Sequence, residues 1–439
     1  MKHLIFWAAA IFGAASGSLN IVQSGFSAGP TGTPAEWTVW SARPEIAPRA
    51  YVDERRSRDQ PGSLAIAGNG NAAAYGGWEH TVRGVEAGKW YRLGAYYQTA
   101  GLQYEPLQVV ARLDWVGANG RRVGQPDYAY LTAPDGDWRR MTLEAPAPEK
   151  AASAKIQLYL QNAPDGTVWW DEISLREIAA PSPRPVSVAV VNLKPRDTKS
   201  SAESVRRFLD VVERSVTKKA DMIVLPEGIT VVGTGKSFPE IAETIPGPTT
   251  KLLGEMAKKK NSYLVAGMYE RDGAAIYNTA VLLDRTGAVA GKYRKVYLPR
   301  EEIEGGLTPG SDYPVFRTDF GTVGILICWD SQYADPARAL ALNGAELLLM
   351  PIWGGNETLV KARAIENRVF VATSGYNYPT HILDPDGALL AAATDQSGSV
   401  SYATIDLARR YTDPWLGDMR GRFMKELRLD VKVAHPTPR

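Results

Sequence analysis

The chain has 439 residues, 44% of them hydrophobic and 22% charged, with 50 Lys and Arg against 48 Asp and Glu for a net charge of +2. That balance gives no electrostatic reason to expect nucleic acid, and no sustained basic run appears. The length leaves room for two or three domains with proper cores, and a single cysteine, Cys328, excludes an internal disulfide.

Residues 1–17 run from a short basic start through an apolar stretch to small residues. This is the pattern of a secretory leader, too short for a membrane span, and residues 1–18 are taken as a signal peptide cut near Ala15 to Ser18. A buried N-terminal helix is the competing reading. Export to the periplasm or medium is expected, with no cysteine after the cut to accept a lipid. Residues 19–40, rich in Gly, Pro, Ser and Thr, read as an irregular lead-in.

Residues 41–178 read as short strands, at 88–97, 107–115, 138–143, 154–160 and 167–175. Alternation, aromatic content and Gly, Asn, Asp and Pro turns predict a two-sheet antiparallel sandwich without helices. Its Gly88-Lys-Trp-Tyr-Arg spacing and Trp169-Trp170-Asp171-Glu172 ending resemble the jelly-roll, galactose-binding-like modules attached to exported bacterial enzymes. Tyr97, Tyr104, Trp115 and Trp138 are either a surface for a glycan or polymer, or core packing; sugar binding does not follow from the resemblance.

Residues 179–185, with Ala180-Pro-Ser-Pro-Arg-Pro185, form a stiff linker by composition. From 186 the rhythm changes to alternating strands and helices: strands at 186–192, 221–225, 263–268, 279–284, 347–350 and 369–373, helices at 201–217, 249–259, 335–342 and 357–366. An α/β layered domain over 186–425 is expected, with a tail at 426–439.

Three apolar strands of this domain end in a potent polar group: Val224-Leu-Pro-Glu227, the run from Gly291 through Lys292 and Lys295 to Pro299, and the run ending in Cys328-Trp-Asp330. Ligands of α/β sheets sit beyond strand ends, so groups far apart in sequence can converge there. Taken singly, each has a bland reading: a surface carboxylate, solvated lysines, a thiol packed like a small hydrophobe. Together they form a chemically complete set. A thiol is mostly protonated at neutral pH and needs a base to attack a carbonyl or nitrile carbon. Glu227 can take that proton and pass it to a leaving amine, while Lys295 and the backbone N–H of Trp329 hold the tetrahedral oxygen. Of the four histidines, His381 alone lies in the core of this half, so a Cys-His hydrolase is the rival enzyme reading. A non-catalytic carbohydrate- or surface-binding protein with an inert Cys328 is the other rival.

Leu225-Pro-Glu227-Gly, Lys292-Tyr-Arg-Lys295-Val-Tyr-Leu-Pro299 and Gly324-Ile-Leu-Ile-Cys328-Trp-Asp330, in that order, resemble the three motifs of the carbon-nitrogen hydrolase family, the nitrilase superfamily. The segment Ala364-Ile-Glu-Asn-Arg368-Val resembles the same family's helix leading into a strand. The resemblance implies a four-layer α-β-β-α sandwich, a Glu227, Lys295 and Cys328 triad, no metal or other cofactor, and a homodimer or higher homo-oligomer. It also implies an auxiliary glutamate between the lysine and cysteine motifs, for which Glu304 is the first choice and Glu302 the second. Trp329, Asp330, Tyr333, Trp353 and Asn356 are the candidates for shaping the pocket, each with packing as its alternative. The implied reaction is hydrolysis of a small-molecule amide or N-carbamoyl compound; Asp330 after Cys328-Trp favours this over nitrile hydrolysis, where relatives tend to carry Glu.

Overall fold

In the computed structural model residues 19–30 and 32–432 are described, so the expected leader lies outside the described residues. The chain divides into two compact units, one of residues 1–180 with 412–439 and one of residues 181–411.

The first unit is β-rich. One sheet runs in the order Arg49–Asp53, Ser63–Ala67, Thr167–Ile178, Trp90–Ala100, Trp138–Pro146 and Leu131–Asp135; the other runs Trp37–Ser41, Tyr75–Arg83, Ala151–Gln161, Val109–Gly117 and Asp127–Tyr128. All of these pairings are antiparallel, as the alternation of the sequence implies. The expected irregular lead-in instead contributes a strand, Asn20–Gln23, which pairs with Thr167–Ile178, because Leu19 and Ile21 have core to cover. Tyr97 and Trp115 are each 1% exposed and Trp138 is 8% exposed, so these aromatics build the interior rather than a glycan surface. Their polar tips are used inside: Tyr97 donates to Glu105 and the Trp115 indole to Asp127, each at 2.7 Å. The domain boundary also moves from the expected 425. The hairpin of Thr412–Asp413 with Gly417–Asp418 and the helix Met419–Glu426 belong to the β-rich unit, where the buried Lys425 ammonium donates to the Val109 carbonyl at 2.6 Å.

The second unit is α-β-β-α. Besides a short helix at Phe238–Ile241 and a 3-10 turn at Cys328–Gln332, its elements are β1 (Pro185–Asn192), α1 (Ser201–Ser215), β2 (Met222–Val224), α2 (Pro248–Lys260), β3 (Tyr263–Asp272), β4 (Ala275–Leu283), β5 (Val289–Arg294), α3 (Arg300–Glu304), β6 (Val315–Arg317), β7 (Thr322–Ile325), α4 (Asp335–Leu342), β8 (Leu347–Pro351), α5 (Glu357–Asn367), β9 (Phe370–Ser374), β10 (Thr380–Leu383), β11 (Leu389–Ala393) and β12 (Ser399–Asp406). Two six-stranded sheets result, β5-β4-β3-β2-β1-β12 and β6-β7-β8-β9-β10-β11. Each has three parallel strands, β1-β2-β3 in one and β7-β8-β9 in the other, followed by antiparallel hairpin strands. The order β-α-β-α-β-β-β therefore occurs twice.

Strand β1 shows why the layers form. Val186, Val188 and Val190 face the second sheet, while Ala189 and Val191 face Val205, Phe208 and Val212 of α1, so both faces are buried. Helix α1 starts where Ser200 accepts the Glu203 N–H at 3.2 Å and the Glu203 carboxylate takes the Lys199 N–H at 2.9 Å. Helices α4 and α5 cover the far side of the second sheet through Ala337, Leu340, Val360 and Ala364.

Candidate active site

The three strand ends converge. Glu227 follows β2, Lys295 follows β5 directly, and Cys328 lies three residues beyond β7. Since β5 is two antiparallel steps from β3, it runs in the same direction as β2 and β3, and its end reaches the same edge of the sheet. Lys295 Nζ lies 3.0 Å from Glu227 Oε1, and both side chains are almost fully buried. The backbone carries Glu227 close to β3: a Cβ on Gly267 would sit 2.5 Å from the Glu227 Cα, so glycine is required there. The Tyr376 hydroxyl fixes the turn by donating to the Glu227 carbonyl at 2.8 Å.

Of the two candidates for the auxiliary glutamate, Glu302 lies against Lys295 and Glu304 does not, the reverse of the order expected from the sequence. Glu302 is 6% exposed and lies 3.0 Å from Lys295 through Oε2 and 3.1 Å through Oε1. Glu304 points to solvent and pairs with Arg300 one turn back at 2.8 Å. Two residues on a helix are about 200° apart, so only one of the pair can face the lysine.

Cys328 occupies the turn after its strand with φ of +44°, a left-handed conformation that a non-glycine residue rarely adopts. Asp330 secures that turn. One carboxylate oxygen accepts the Ile327 N–H at 2.9 Å and the Tyr293 hydroxyl at 2.7 Å, and the other accepts the Tyr297 N–H at 2.9 Å. Asp330 thus ties the cysteine turn to the residues on both sides of Lys295. It is fully buried and committed to this brace, which corrects its assignment to the pocket lining. Asn356 is likewise committed elsewhere, capping α5 by accepting the N–H groups of Thr358 and Leu359 at 2.9 and 3.3 Å. Trp353 packs edge-on against Tyr376 beneath the site, while Trp329 and Tyr333 are more than a third exposed, with Tyr333 stacked on Tyr297 at 3.9 Å.

Burial pushes the Cys328 thiol up to about 12; Glu227 adds to that shift and Lys295 opposes it. The resting group is therefore a neutral thiol, in keeping with its 3.3 Å hydrogen bond to the Gly354 carbonyl. Burial alone would lower Lys295, but the neighbouring carboxylates, Glu227 before Glu302, outweigh it and keep the ammonium protonated. Burial raises Glu302 to about 7 against the pull of Lys295. His381, the alternative base, is buried against Tyr378 with its Nε2 3.5 Å from that hydroxyl, and burial lowers it to about 4. Asn278 is not anticipated from the sequence, although it is an amide within the otherwise apolar inner run of β4; it touches both carboxylates.

Residues 187–414 match the carbon-nitrogen hydrolase family. The chain belongs to that family. It is a hydrolase with a cysteine active site, and its catalytic unit is the α-β-β-α one. Among similar proteins, the omega-amidase NIT2 of Homo sapiens is 31% identical over 252 residues, covering 51% of this chain and 89% of that protein. The omega-amidase NIT2 of Danio rerio is 33% identical over 250 residues, covering 50% and 88%. A solved carbon-nitrogen hydrolase from Helicobacter pylori G27 is 22% identical, with a TM-score of 0.47, covering 56% of this chain and 96% of that one.

Proposed function

We propose that this enzyme hydrolyses the C–N bond of a small amide or N-carbamoyl compound through a thioester on Cys328, releasing ammonia or an amine. The observation that carries the reading is a buried carboxylate, Glu227, held by Lys295 through Oε1 while Oε2 has no hydrogen-bond partner among the described residues. An unpartnered buried carboxylate oxygen is costly for stability and is the atom a proton carrier needs.

The chemistry follows from the resting charges. With the thiol neutral, Sγ attacks the carbonyl carbon as its proton passes to Glu227, and the tetrahedral oxygen is stabilised by the Lys295 ammonium and the Trp329 N–H. Glu227 returns the proton to the departing nitrogen. The same carboxylate then takes a proton from water, the hydroxide adds to the thioester, and the acid leaves as the thiol is restored. Water and amide give acid and ammonia, with no net change in the enzyme.

The omega-amidase relatives and Asp330 after Cys328-Trp support amides over nitriles. An ammonia-release screen across primary amides, N-carbamoyl compounds and nitriles tests this. Turnover of nitriles alone would overturn it. We read residues 1–18 as an export leader, which N-terminal sequencing of the mature protein from periplasm or medium tests.

A further inference from the structure

Glu227 and Glu302 share one lysine, and two carboxylates around a single cation need further donors to stay together without water. Those donors come from Asn278 on β4, a residue with no exposed surface. Its Nδ2 donates to Glu227 Oε1 at 2.7 Å and to Glu302 Oε1 at 2.6 Å. Its backbone carbonyl accepts the Lys295 N–H at 2.9 Å. One residue therefore contacts both carboxylates through its side chain and the backbone of Lys295 through its carbonyl. The nitrogen must face the carboxylates, because the amide oxygen would meet two acceptors there; that oxygen is buried with no partner. The asymmetry extends to both carboxylates: Oε1 of each accepts from Asn278 and Lys295, while among the described residues Oε2 of neither has a hydrogen-bond partner, although Glu302 Oε2 lies 3.0 Å from the lysine and Glu227 Oε2 has no such ion pair.

We infer that Asn278 is a positioning residue that commits Oε1 of Glu227 to the clamp and so assigns proton transfer to Oε2. The inference rests on the reading of Glu227 as the proton carrier. A neutral amide is the right group for this position, since it holds both carboxylates in place without adding a second positive charge that would weaken Glu227 as a base. An aspartate of the same shape would supply repulsion in place of two hydrogen bonds. The titratable groups facing Glu227 are Lys295 after β5, Glu302 on α3, Cys328 after β7, Tyr269 on β3 and Tyr376 after β9. None of them can replace the amide, since Lys295 is already bonded to both carboxylates.

The test is the pH profile of kcat/KM for the best amide from the screen, measured for wild type, Asn278→Asp, Asn278→Ser and Glu227→Gln. Asn278→Asp should lower kcat about 100-fold or more. Its KM should stay within about threefold of wild type. Its acid limb should move up by about one pH unit or more, because Glu227 loses a donor and gains a like charge. Asn278→Ser removes donors without adding charge, should move the limb in the same direction by less, and carries the test if Asn278→Asp fails to fold. A folded Asn278 variant with the wild-type acid limb, or a loss confined to KM, overturns the inference. Glu227→Gln separates the two claims: wild-type turnover in that variant defeats the reading of Glu227 itself, whereas an inactive Glu227→Gln beside an unshifted Asn278 variant defeats only the role of Asn278.

Discussion

Glu79 in the β-rich unit and Glu227 in the hydrolase unit are buried to a similar degree, 5% and 2% exposed, and each has a lysine within 3.0 Å. Their bonding differs. Oε1 of Glu79 accepts from Gln157 at 2.7 Å and from the Tyr159 hydroxyl, and Oε2 pairs with Lys155 at 2.8 Å, so both oxygens are used. Glu227 has all its donors on one oxygen. Burial of a carboxylate beside a lysine therefore does not distinguish structure from chemistry. What separates the two is the distribution of donors, over both oxygens of Glu79 but on one oxygen of Glu227, and a buried oxygen left unmet costs about 1–3 kcal/mol.

The sharpest way to break this contrast is at the nucleophile. Cys328→Ala should lower kcat by about 10⁴-fold or more while the thermal melt stays close to wild type. Residual turnover above that level would point to another nucleophile. Next in size are the two lysines. Lys295→Met leaves two buried carboxylates around an apolar side chain and should cost about 3–5 kcal/mol in chemical denaturation, together with turnover. Lys155→Met should cost less than about 1 kcal/mol, since that lysine is a third exposed and Glu79 keeps its other donors. Equal losses would erase the distinction between the units.

The same contrast applies to His381, whose Nε2 lies 3.5 Å from the Tyr378 hydroxyl. Burial lowers it from 6.5 to about 4, so the unfolded chain binds its proton first. This contribution to stability is complete above pH 6.5 and falls away toward pH 4, by about 3 kcal/mol in all. Comparing wild type with His381→Leu by urea denaturation across that range should show the slope flatten in the variant. The smallest effect separates the two glutamates. Glu79→Gln breaks a satisfied network and should cost about 1–2 kcal/mol with kcat/KM unchanged. Glu227→Gln keeps its bonded oxygen, replaces the orphan one, and should leave the melt unchanged or raised while turnover is lost.

Much of the catalytic unit is legible in the sequence because each motif places a charged or reactive group directly after an apolar strand, where period and polarity change together. Glu227, Lys295 and Cys328 are read this way. The choice between Glu302 and Glu304 is not, since it depends on the phase of a helix only five residues long. Arg300 four residues before Glu304 is the available clue that Glu304 faces water. Asp330 and Asn356 are polar residues beside the site whose side chains bond backbone groups, a use that residue type alone does not reveal. Asn278 stays hidden because an amide in a strand reads as an exposed position until the facing carboxylates are known. The segment 412–426 reads as part of the wrong domain because the bond from Lys425 to Val109 joins residues 316 apart in sequence.

Acylation of Cys328 by the carbonyl group whose nitrogen departs is the step on which the mechanism stands. Rapid acid quench during turnover of an active amide, followed by intact mass and peptide mapping, tests it most directly. The expected result is a mass increase equal to the acyl group, located on Cys328 and absent in Cys328→Ala. Full ammonia release with unmodified Cys328 at every time point, or an equal adduct in the alanine variant, would contradict it.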